Sequence, residues 1–384
     1  MVCNRKVLMF GGILVFVTLV QNAQSQNLSD FKINGYGGWG FGITDGNGYQ
    51  YGQKSGEFSH VDFALAFSVD PYEDVKVIAQ VNWEDDIVGF VTQLEHAFAE
   101  WKVSKNLRLR FGRIRKPFGV YAEQLNVGTA RPFLLLPLGL YGPQGFTAKA
   151  YNGAGLAGRF TAFYSWRIQY DLYFGQLRTR ISMPGLLSED VADQFEKKVS
   201  GLMDVEETVG TRIIIMTPFR GLNLGLSAWS GNVTLSKLVL KSPERERGYA
   251  YSLHLDYLKN KAALRSEYAV FKPGRAFQSK AFYIEAAYMI SWTWQLALRY
   301  DSWGGDLLGQ MESPAMAQVL SHDDIGVGLN YWFHPNFAIK WALHLADGNR
   351  FAFPLETRVI ETELAGGGLD NRTLLFQFGV QYSF

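Results

Sequence analysis

The chain has 384 residues, of which 47% are hydrophobic and 15% aromatic, and its formal net charge is +1. Its 28 Phe, 19 Tyr and 40 Gly favour β-structure over a helical bundle. The near-neutral charge argues against a protein that binds nucleic acid in bulk. The single cysteine leaves no disulfide to staple the fold.

The N-terminus has the composition of a secretory signal peptide. Two basic residues precede the apolar stretch 7–20 (VLMFGGILVFVTLV), and small residues Ala23 and Ser25 occupy the −3 and −1 positions of a cleavage site. The stretch is short for a membrane-spanning helix, although an uncleaved anchor is the alternative. We therefore expect export and removal of residues 1–25. This would also remove Cys3 and two positive charges, leaving a formal charge of −1.

Downstream, the chain repeats a two-residue alternation. The segment 61–69 (VDFALAFSV) places Val, Phe, Leu, Phe and Val at every second position, and the segment 325–333 (IGVGLNYWF) does the same with Ile, Val, Leu, Tyr and Phe. One apolar face and one polar or small face are typical of a half-exposed β-strand. No apolar run near 18 residues follows residue 26, so the sequence predicts no further transmembrane helix.

The alternation predicts sixteen strands, many of them long enough to cross a bilayer at a tilt. Aromatic residues near the strand ends fit the interfacial girdles of a membrane barrel. The predicted strands are 31–42, 58–69, 74–84, 90–103, 107–114, 146–152, 159–175, 208–216, 221–230, 247–258, 262–271, 277–289, 293–302, 322–333, 337–346 and 372–384.

The predicted connections alternate in length along the chain. The even-numbered ones are tight, as in DPYE (70–73), GAGLAG (153–158) and SWT (291–293), whereas the odd-numbered ones include every long segment, such as 115–145. An up-and-down barrel with both termini on one side sorts its connections in this way. The predicted fold class is therefore all-β. It is a closed antiparallel transmembrane barrel of about 16 strands over residues 26–384, with short periplasmic turns and long extracellular loops.

The last predicted strand, FQFGVQYSF, ends the chain on a bare aromatic residue. Its alternation predicts a lipid-facing row that ends at Phe384, with Gln377, Gln381 and Ser383 facing inward. We expect Phe384 to lie in the periplasmic girdle and to close the sheet against the first strand.

One segment carries a resemblance to a known family. Residues 97–119 (AFAEWKVSKNLRLRFGRIRKPFG) resemble the fourth and fifth strands of bacterial porins, and most resemble those of the phosphate-selective porin O and P family. In that family a similar basic, Gly-containing stretch leads into a loop that folds back into the pore. The terminal aromatic is similar to the signal that outer-membrane proteins present to the barrel-assembly machinery. The resemblance implies a Gram-negative outer-membrane porin, a homotrimer and passive transport.

The predicted lumen face carries ten basic and nine acidic side chains, so it has no net charge preference. The local clustering of arginines still favours anions, because guanidinium groups bind phosphate or carboxylate bidentately. Internal ion pairs and a solvated wall are the alternative. The candidate pore-lining and anion-binding residues are Arg108, Arg110, Arg113, Arg115, Lys116, Lys149, Arg159, Arg167, Arg131 and Glu123.

The loop 115–145 is by position the one that constricts porin lumens. Its run PFLLLPLGLYG is unusually apolar for a solvated loop. Two interpretations stay open: the loop packs against the inner wall, or it lines a passage for amphipathic solutes. We expect Glu123 and Arg131 to be its pore-facing charges.

Other function classes find little support. GAGLAG (153–158) fits G-x-G-x-x-G, but a strand follows it where a dinucleotide site requires a helix. We predict no enzyme, no cofactor and no metal, since the six histidines lack ligand spacing. His322 beside Asp323 and Asp324 is the one cluster to inspect for a hydrolytic site.

Two further rivals remain. One is a non-conducting structural or surface-exposed outer-membrane barrel whose lumen is closed by its long loops. The other is an energy-coupled or lipid transporter, which would carry an N-terminal plug. The strand pattern begins at Phe31, five residues after the predicted cleavage site, so the sequence offers no room for a plug.

Overall fold

The computed structural model describes residues 31–49, 52–85, 90–142, 149–163, 165–181, 201–235, 245–275, 277–307, 317–318, 320–352 and 370–384. Within them, sixteen antiparallel strands form a closed barrel with a mean radius of 16 Å, which confirms the predicted fold class. The strands are β1 (Lys32–Thr44), β2 (Glu57–Tyr72), β3 (Val75–Asp85), β4 (Val91–Ser104), β5 (Leu107–Arg115), β6 (Ala150–Ala162), β7 (Trp166–Ile181), β8 (Gly201–Met216), β9 (Leu222–Leu235), β10 (Arg245–Lys259), β11 (Ala262–Lys272), β12 (Phe277–Met289), β13 (Trp294–Leu307), β14 (Ser321–His334), β15 (Phe337–Asp347) and β16 (Arg372–Ser383).

The predicted signal peptide, residues 1–25, lies outside the described residues. Within the described part of the chain, none of the helices has the length and apolar character that a bilayer-spanning helix needs.

The two faces of the wall follow from the alternation in sequence. On β14, Ile325, Val327 and Leu329 are exposed on the outer face, whereas Asp324 and Asn330 between and beside them are buried on the inner face. Because successive side chains of a strand point to opposite sides, a one-residue change of register would exchange the two faces. The apolar outer face and polar inner face are those of a membrane barrel.

The end of the chain closes the barrel, as predicted. The strand β16 pairs with β1, and Phe378 lies in register with Phe41. Beyond the last pair, the Phe384 N–H donates to the Gly35 carbonyl at 2.8 Å, and the Gly35 N–H donates to the Phe384 carbonyl at 2.9 Å. Closure removes the unpaired edges that an open sheet would expose.

Short and long connections lie at opposite ends of the barrel. On the short-turn end, strands are separated by two to five residues, for example at 73–74, 105–106 and 217–221. Every longer connection lies on the opposite, long-loop end. The predicted alternation of short and long connections is therefore confirmed.

The boundary between the sixth and seventh strands was predicted wrongly. The Gly-rich segment 153–158 is not a turn but lies inside β6, and the turn falls at 163–165. The rings of Tyr151 and Tyr173 stack at 4.7 Å on the inner face, where a Cβ on Gly155 or Gly210 would collide with them. The glycines therefore make room for two large rings, a packing requirement that resembles a turn signal in sequence.

The connection between β5 and β6 turns back into the barrel. Its described part, residues 116–142, is here named the inner loop. It contains a short 3-10 helix (Gly128–Ala130) and a single-turn helix, α1 (Leu138–Tyr141). Most of its residues are buried, and the contacts of both helices are with strands of the barrel, among them β1, β12, β13 and β16.

Candidate functional site

The inner loop is hydrogen-bonded most extensively to the β11–β16 side of the wall. The Tyr141 hydroxyl donates to Glu267 Oε2 at 2.5 Å, and the Val120 N–H donates to the same oxygen at 3.3 Å. The Tyr121 hydroxyl donates to Glu285 Oε1 at 2.5 Å. Two loop tyrosines therefore bind two buried carboxylates of β11 and β12.

Basic and polar wall residues satisfy the backbone of the loop. Arg299 Nη1 donates to the Leu135 carbonyl at 2.9 Å, and Arg265 Nη1 donates to the Ala130 carbonyl at 3.2 Å. Asn330 Nδ2 donates to the Pro132 carbonyl at 2.7 Å, and the Gly139 N–H donates to Asp301 Oδ2 at 3.2 Å. A buried backbone group without a partner would be costly, so these contacts explain how a loop can lie inside the barrel.

The apolar run of the loop packs against the same wall. Phe133 is buried, lies under the Arg299 guanidinium at 4.2 Å and contacts the His344 ring at 5.5 Å. A Cβ on Gly326 or Gly328 would approach the Phe133 ring to within 3.2 Å, so small residues make room for it. Of the two interpretations of PFLLLPLGLYG, these contacts favour packing against the inner wall.

The opposite side of the loop faces β5–β8 across a charged gap. Glu123 is 64% exposed, and its Oε1 lies 2.5 Å from Arg212 Nη2. Arg212 also binds Asp171 at 2.9 Å, and Arg110 lies between Asp171 at 3.3 Å and Glu100 at 2.7 Å. Opposite charges thus alternate from Glu123 of the loop across the inner face of these strands.

The pKa of Glu123 reflects this position. Burial raises the pKa of the carboxyl, but Arg212, Arg110 and Arg115 together lower it by more, and the net pKa is below the ordinary 4.5. The carboxylate therefore stays ionised at neutral pH and contributes a fixed negative charge to the gap.

Arg115 holds the loop at its base. Its Nη1 donates to the Glu123 carbonyl at 2.6 Å, and its Nη2 donates to Gln80 Oε1 at 3.0 Å. Its contacts thus link the loop backbone to β3.

Three inward arginines near the short-turn end are more exposed to solvent than Arg110 and Arg212. Arg108 is 50% exposed, and its ion pair with Glu100 is long, at 3.6 Å. Arg159 and Arg167 are exposed, and Arg159 Nη2 donates to neutral Gln169 at 3.2 Å. Arg108, Arg159 and Arg167, here named the short-turn arginines, are the guanidinium groups best placed to meet solutes.

Four predicted site residues lie elsewhere. By strand alternation Arg113 is on the opposite face from Arg110, in register with Ala97 and Asn152, so it is an outer-face residue. Gly112, directly before Arg113, has a φ of 129°, a backbone conformation that favours glycine. The expected placement of Arg113 in the lumen is corrected, because the five basic residues 108–116 do not share one face.

Lys116 and Arg131 are buried rather than pore-facing. The Lys116 Nζ lies 4.7 Å from the Trp229 ring centre and 5.0 Å from that of Phe118, and burial lowers the pKa of the amine well below its ordinary value. Arg131 Nη1 donates to the Leu125 carbonyl at 3.0 Å, inside the loop. The fourth residue, Lys149, lies 3.9 Å from Glu84 at the long-loop end.

The contacts of His322 at the long-loop end are those of a buried structural residue. His322 is buried, its Nδ1 is hydrogen-bonded to the Tyr49 hydroxyl, and its Nε2 lies 3.4 Å from Asp301. Asp323 lies on the outer face and accepts from the Tyr300 hydroxyl at 2.7 Å, so the sequence neighbours do not form one site. Among the described residues no group of three or more potential ligands is arranged to hold a metal.

The sequence analysis missed the anchors Tyr121 and Tyr141. Both are loop residues, so the strand alternation that placed wall residues gave no facing for them. Their position within an apolar segment was the one available signal, because a buried tyrosine hydroxyl needs a partner.

The comparisons with known proteins agree with this geometry. No protein-family model matches the chain, and no curated protein matches it in sequence. The solved outer-membrane channel DcaP of Acinetobacter baumannii is similar in structure, with a TM-score of 0.57, 10% identity, and 92% of this chain and 97% of that one covered. The chain has the fold of bacterial outer-membrane porins.

Two further solved structures share that fold. An anion-selective porin from Comamonas acidovorans has a TM-score of 0.55 and 11% identity, covering 92% of this chain and 99% of that one. OmpT of Vibrio cholerae, in a trimer form, has a TM-score of 0.53 and 10% identity, with 92% and 99% covered. The resemblance is therefore to general porins, and it does not reach the phosphate-selective family specifically.

Proposed function

We propose that the protein is an outer-membrane porin that lets small hydrophilic solutes diffuse passively across the membrane. The observation that carries this proposal is the asymmetry of the lumen. Most hydrogen bonds of the inner loop go to the β11–β16 side. On the β5–β8 side the loop is joined through Arg115 and the Glu123–Arg212 ion pair, and the short-turn arginines stay exposed. A barrel of about sixteen strands is wide enough for an aqueous passage. Diffusion through a charged gap needs no covalent step and no cofactor.

A modest preference for anions, phosphate included, is the finer part of the proposal. The short-turn arginines support it, because exposed guanidinium groups attract anions and bind phosphate bidentately. The gap itself is mixed, since Glu100, Asp171 and Glu123 lie beside Arg110 and Arg212. We therefore expect the preference to arise at the short-turn end, where solutes pass Arg108, Arg159 and Arg167.

Placement in a Gram-negative outer membrane follows from the same proposal, after export through the predicted signal peptide. The apolar outer face supports lipid contact. The similarity to OmpT, which was solved in a trimer form, supports a homotrimer. The terminal Phe384 is 60% exposed, as recognition by the assembly machinery would require.

Planar-bilayer recording with the purified protein tests the proposal. Discrete conductance steps, with a reversal potential in a KCl gradient that favours chloride, are the expected result. A folded protein that inserts but produces no steps would favour the rival, a non-conducting structural barrel. Steps that favour potassium would leave the pore in place and remove the anion preference.

A further inference from the structure

A buried lysine lies under the inner loop. Lys340 of β15 is an inward residue by alternation, yet it is fully buried. Its Nζ donates to the Gly128 carbonyl at 2.8 Å, to the Arg131 carbonyl at 2.5 Å and to Gln381 Oε1 at 2.6 Å, and the Phe133 carbonyl lies at 3.5 Å. Three close acceptors match the three donors of an ammonium group.

The partners of Lys340 are all neutral oxygens. Three are main-chain carbonyls of one short segment, residues 128–133, and the fourth is a side-chain amide of β16. Removing an ammonium from water is tolerated only when its hydrogen bonds are replaced. The carbonyls of one turn converge on a single point, and carbonyl dipoles that point together repel one another unless a cation lies between them. The Lys340 side chain thus offsets the repulsion between the converging carbonyls, and the carbonyls supply the acceptors that its burial needs.

Gln381 extends the contact. Its Nε2 donates to the Leu134 carbonyl at 3.0 Å, while its Oε1 accepts from Lys340. The Thr129 hydroxyl lies 3.1 Å from the hydroxyl of Ser383, two residues further along β16. The segment 128–134, here named the lysine turn, is therefore held by Lys340 of β15 and by Gln381 and Ser383 of β16, in addition to the contacts of its Ala130 and Pro132 carbonyls with Arg265 and Asn330.

We propose that the Lys340 ammonium is the positioning group for the lysine turn, and that it thereby sets the width of the passage on the far side of the inner loop. Lys340 touches no solute in this arrangement. It acts through the backbone of the loop, and a basic residue that alternation assigns to the lumen serves instead as an internal hydrogen-bond donor. The effect on permeation rests on the proposed porin function, whereas the effect on the loop does not.

Lys340→Met tests the proposal, because methionine keeps most of the volume but leaves the converging carbonyls without a donor. We expect a higher single-channel conductance, more open-channel noise and faster uptake of larger sugars than in the wild type. The matched control is Lys76→Met, which removes an inward lysine that is 40% exposed and pairs with Asp70 at 3.5 Å. The control should leave noise and the solute size limit unchanged.

A reducible disulfide provides a second test in case Lys340→Met alone does not fold. The Thr129 and Ser383 hydroxyls occupy positions that two sulfur atoms could bridge with a small shift. Thr129→Cys and Ser383→Cys are combined in the Lys340→Met background, and the barrel is folded with the disulfide between them formed. The disulfide ties the lysine turn to β16. The oxidised channel should behave as wild type and gain noise and conductance when reduced. The same cysteine pair with Lys340 intact should change little on reduction.

A labelling experiment separates the two proposals. In Thr129→Cys alone, reaction with a water-soluble maleimide should be at least about tenfold faster when Lys340 is replaced by methionine, since charge-assisted hydrogen bonds hold the turn. This readout works in a barrel that conducts nothing. Equal labelling rates in the two backgrounds, or unchanged noise and conductance after reduction in a channel that conducts, would overturn the role of Lys340.

Discussion

The β11–β16 wall and the β2–β8 wall carry the same kinds of inward side chain, but they use them differently. On the first, Glu267, Glu285, Arg299 and Lys340 are buried and bind the inner loop. On the second, Arg212 is also buried and binds Glu123 of the loop, but side chains nearer the short-turn end, such as Arg108 and Lys76, remain 50% and 40% exposed. Alternation in sequence therefore identifies the inward face, but the covering loop decides which inward charges meet water.

The largest expected effect is on the covered wall. Arg299→Met removes the closer of the two arginine partners of Glu285, with both side chains only 2% exposed, and also the donor to the Leu135 carbonyl. Glu285 keeps only the 4.0 Å contact with Arg265 and the Tyr121 hydrogen bond, and we expect a loss near the lower end of about 3–5 kcal/mol in the free energy of unfolding. Urea titration of the protein in lipid, followed by tryptophan fluorescence and gel mobility, measures it.

The matched control for that variant lies on the open wall. Arg108→Met removes an arginine that is 50% exposed, and we expect a change below about 1 kcal/mol. Equal losses in the two variants would show that the walls do not differ in the way described.

The next effect is on ion selectivity. Replacing all three short-turn arginines, Arg108, Arg159 and Arg167, with glutamine should reduce the chloride-to-potassium permeability ratio about twofold or more, because exposed charges at a pore mouth set the local ion concentration. Reversal potentials in a KCl gradient report the ratio. Arg113→Gln is the control, since Arg113 lies on the outer face and should leave the ratio unchanged.

A smaller effect, of opposite sign, is expected at the gap. Glu123→Gln removes a carboxylate that is 64% exposed and faces Arg212. The chloride-to-potassium ratio should rise, by less than about twofold, because Arg212 still pairs with Asp171. An unchanged ratio would place Glu123 away from the ion path, and a fall would contradict its predicted electrostatic effect.

The smallest effect is a pH dependence. The pKa of Glu123 is below the ordinary 4.5, so its carboxylate and the ion pair with Arg212 persist at neutral pH and are lost only as the pH falls through that lowered pKa. The difference in reversal potential between wild type and Glu123→Gln should be constant near neutral pH, keep more than half of its size at pH 4.5, and vanish as the pH falls further. A difference that vanishes above 4.5 would contradict the assigned pKa direction.

Much of the fold could be predicted because one physical rule, alternation along membrane strands, governs the whole wall. The rule gave sixteen strands, the sorting of connections and the closing role of Phe384. It failed at 153–158, where Gly155 makes room for the Tyr151 ring and the glycines do not form a turn. Local composition does not distinguish a glycine that bends the backbone from one that makes room for a ring.

The site was less predictable because its decisive contacts join distant segments. Arg131 and Lys116 are buried where the inner loop packs on the wall, and Glu123 contacts Arg212 at a separation of 89 residues along the chain. No local pattern encodes such a contact. The apolar run PFLLLPLGLYG did indicate that the loop needs a surface to cover.

The accessibility of the two walls in a conducting channel tests the account most directly. Arg108→Cys on the open wall and Ala342→Cys on the covered wall, where Ala342 is 4% exposed in the cluster around Phe133, are treated with a water-soluble thiol reagent during recording. The reagent should change the current rapidly for Arg108→Cys and leave Ala342→Cys unmodified until the protein is unfolded. Equal reaction at the two positions would contradict a lumen that is open on one side and covered by the inner loop on the other.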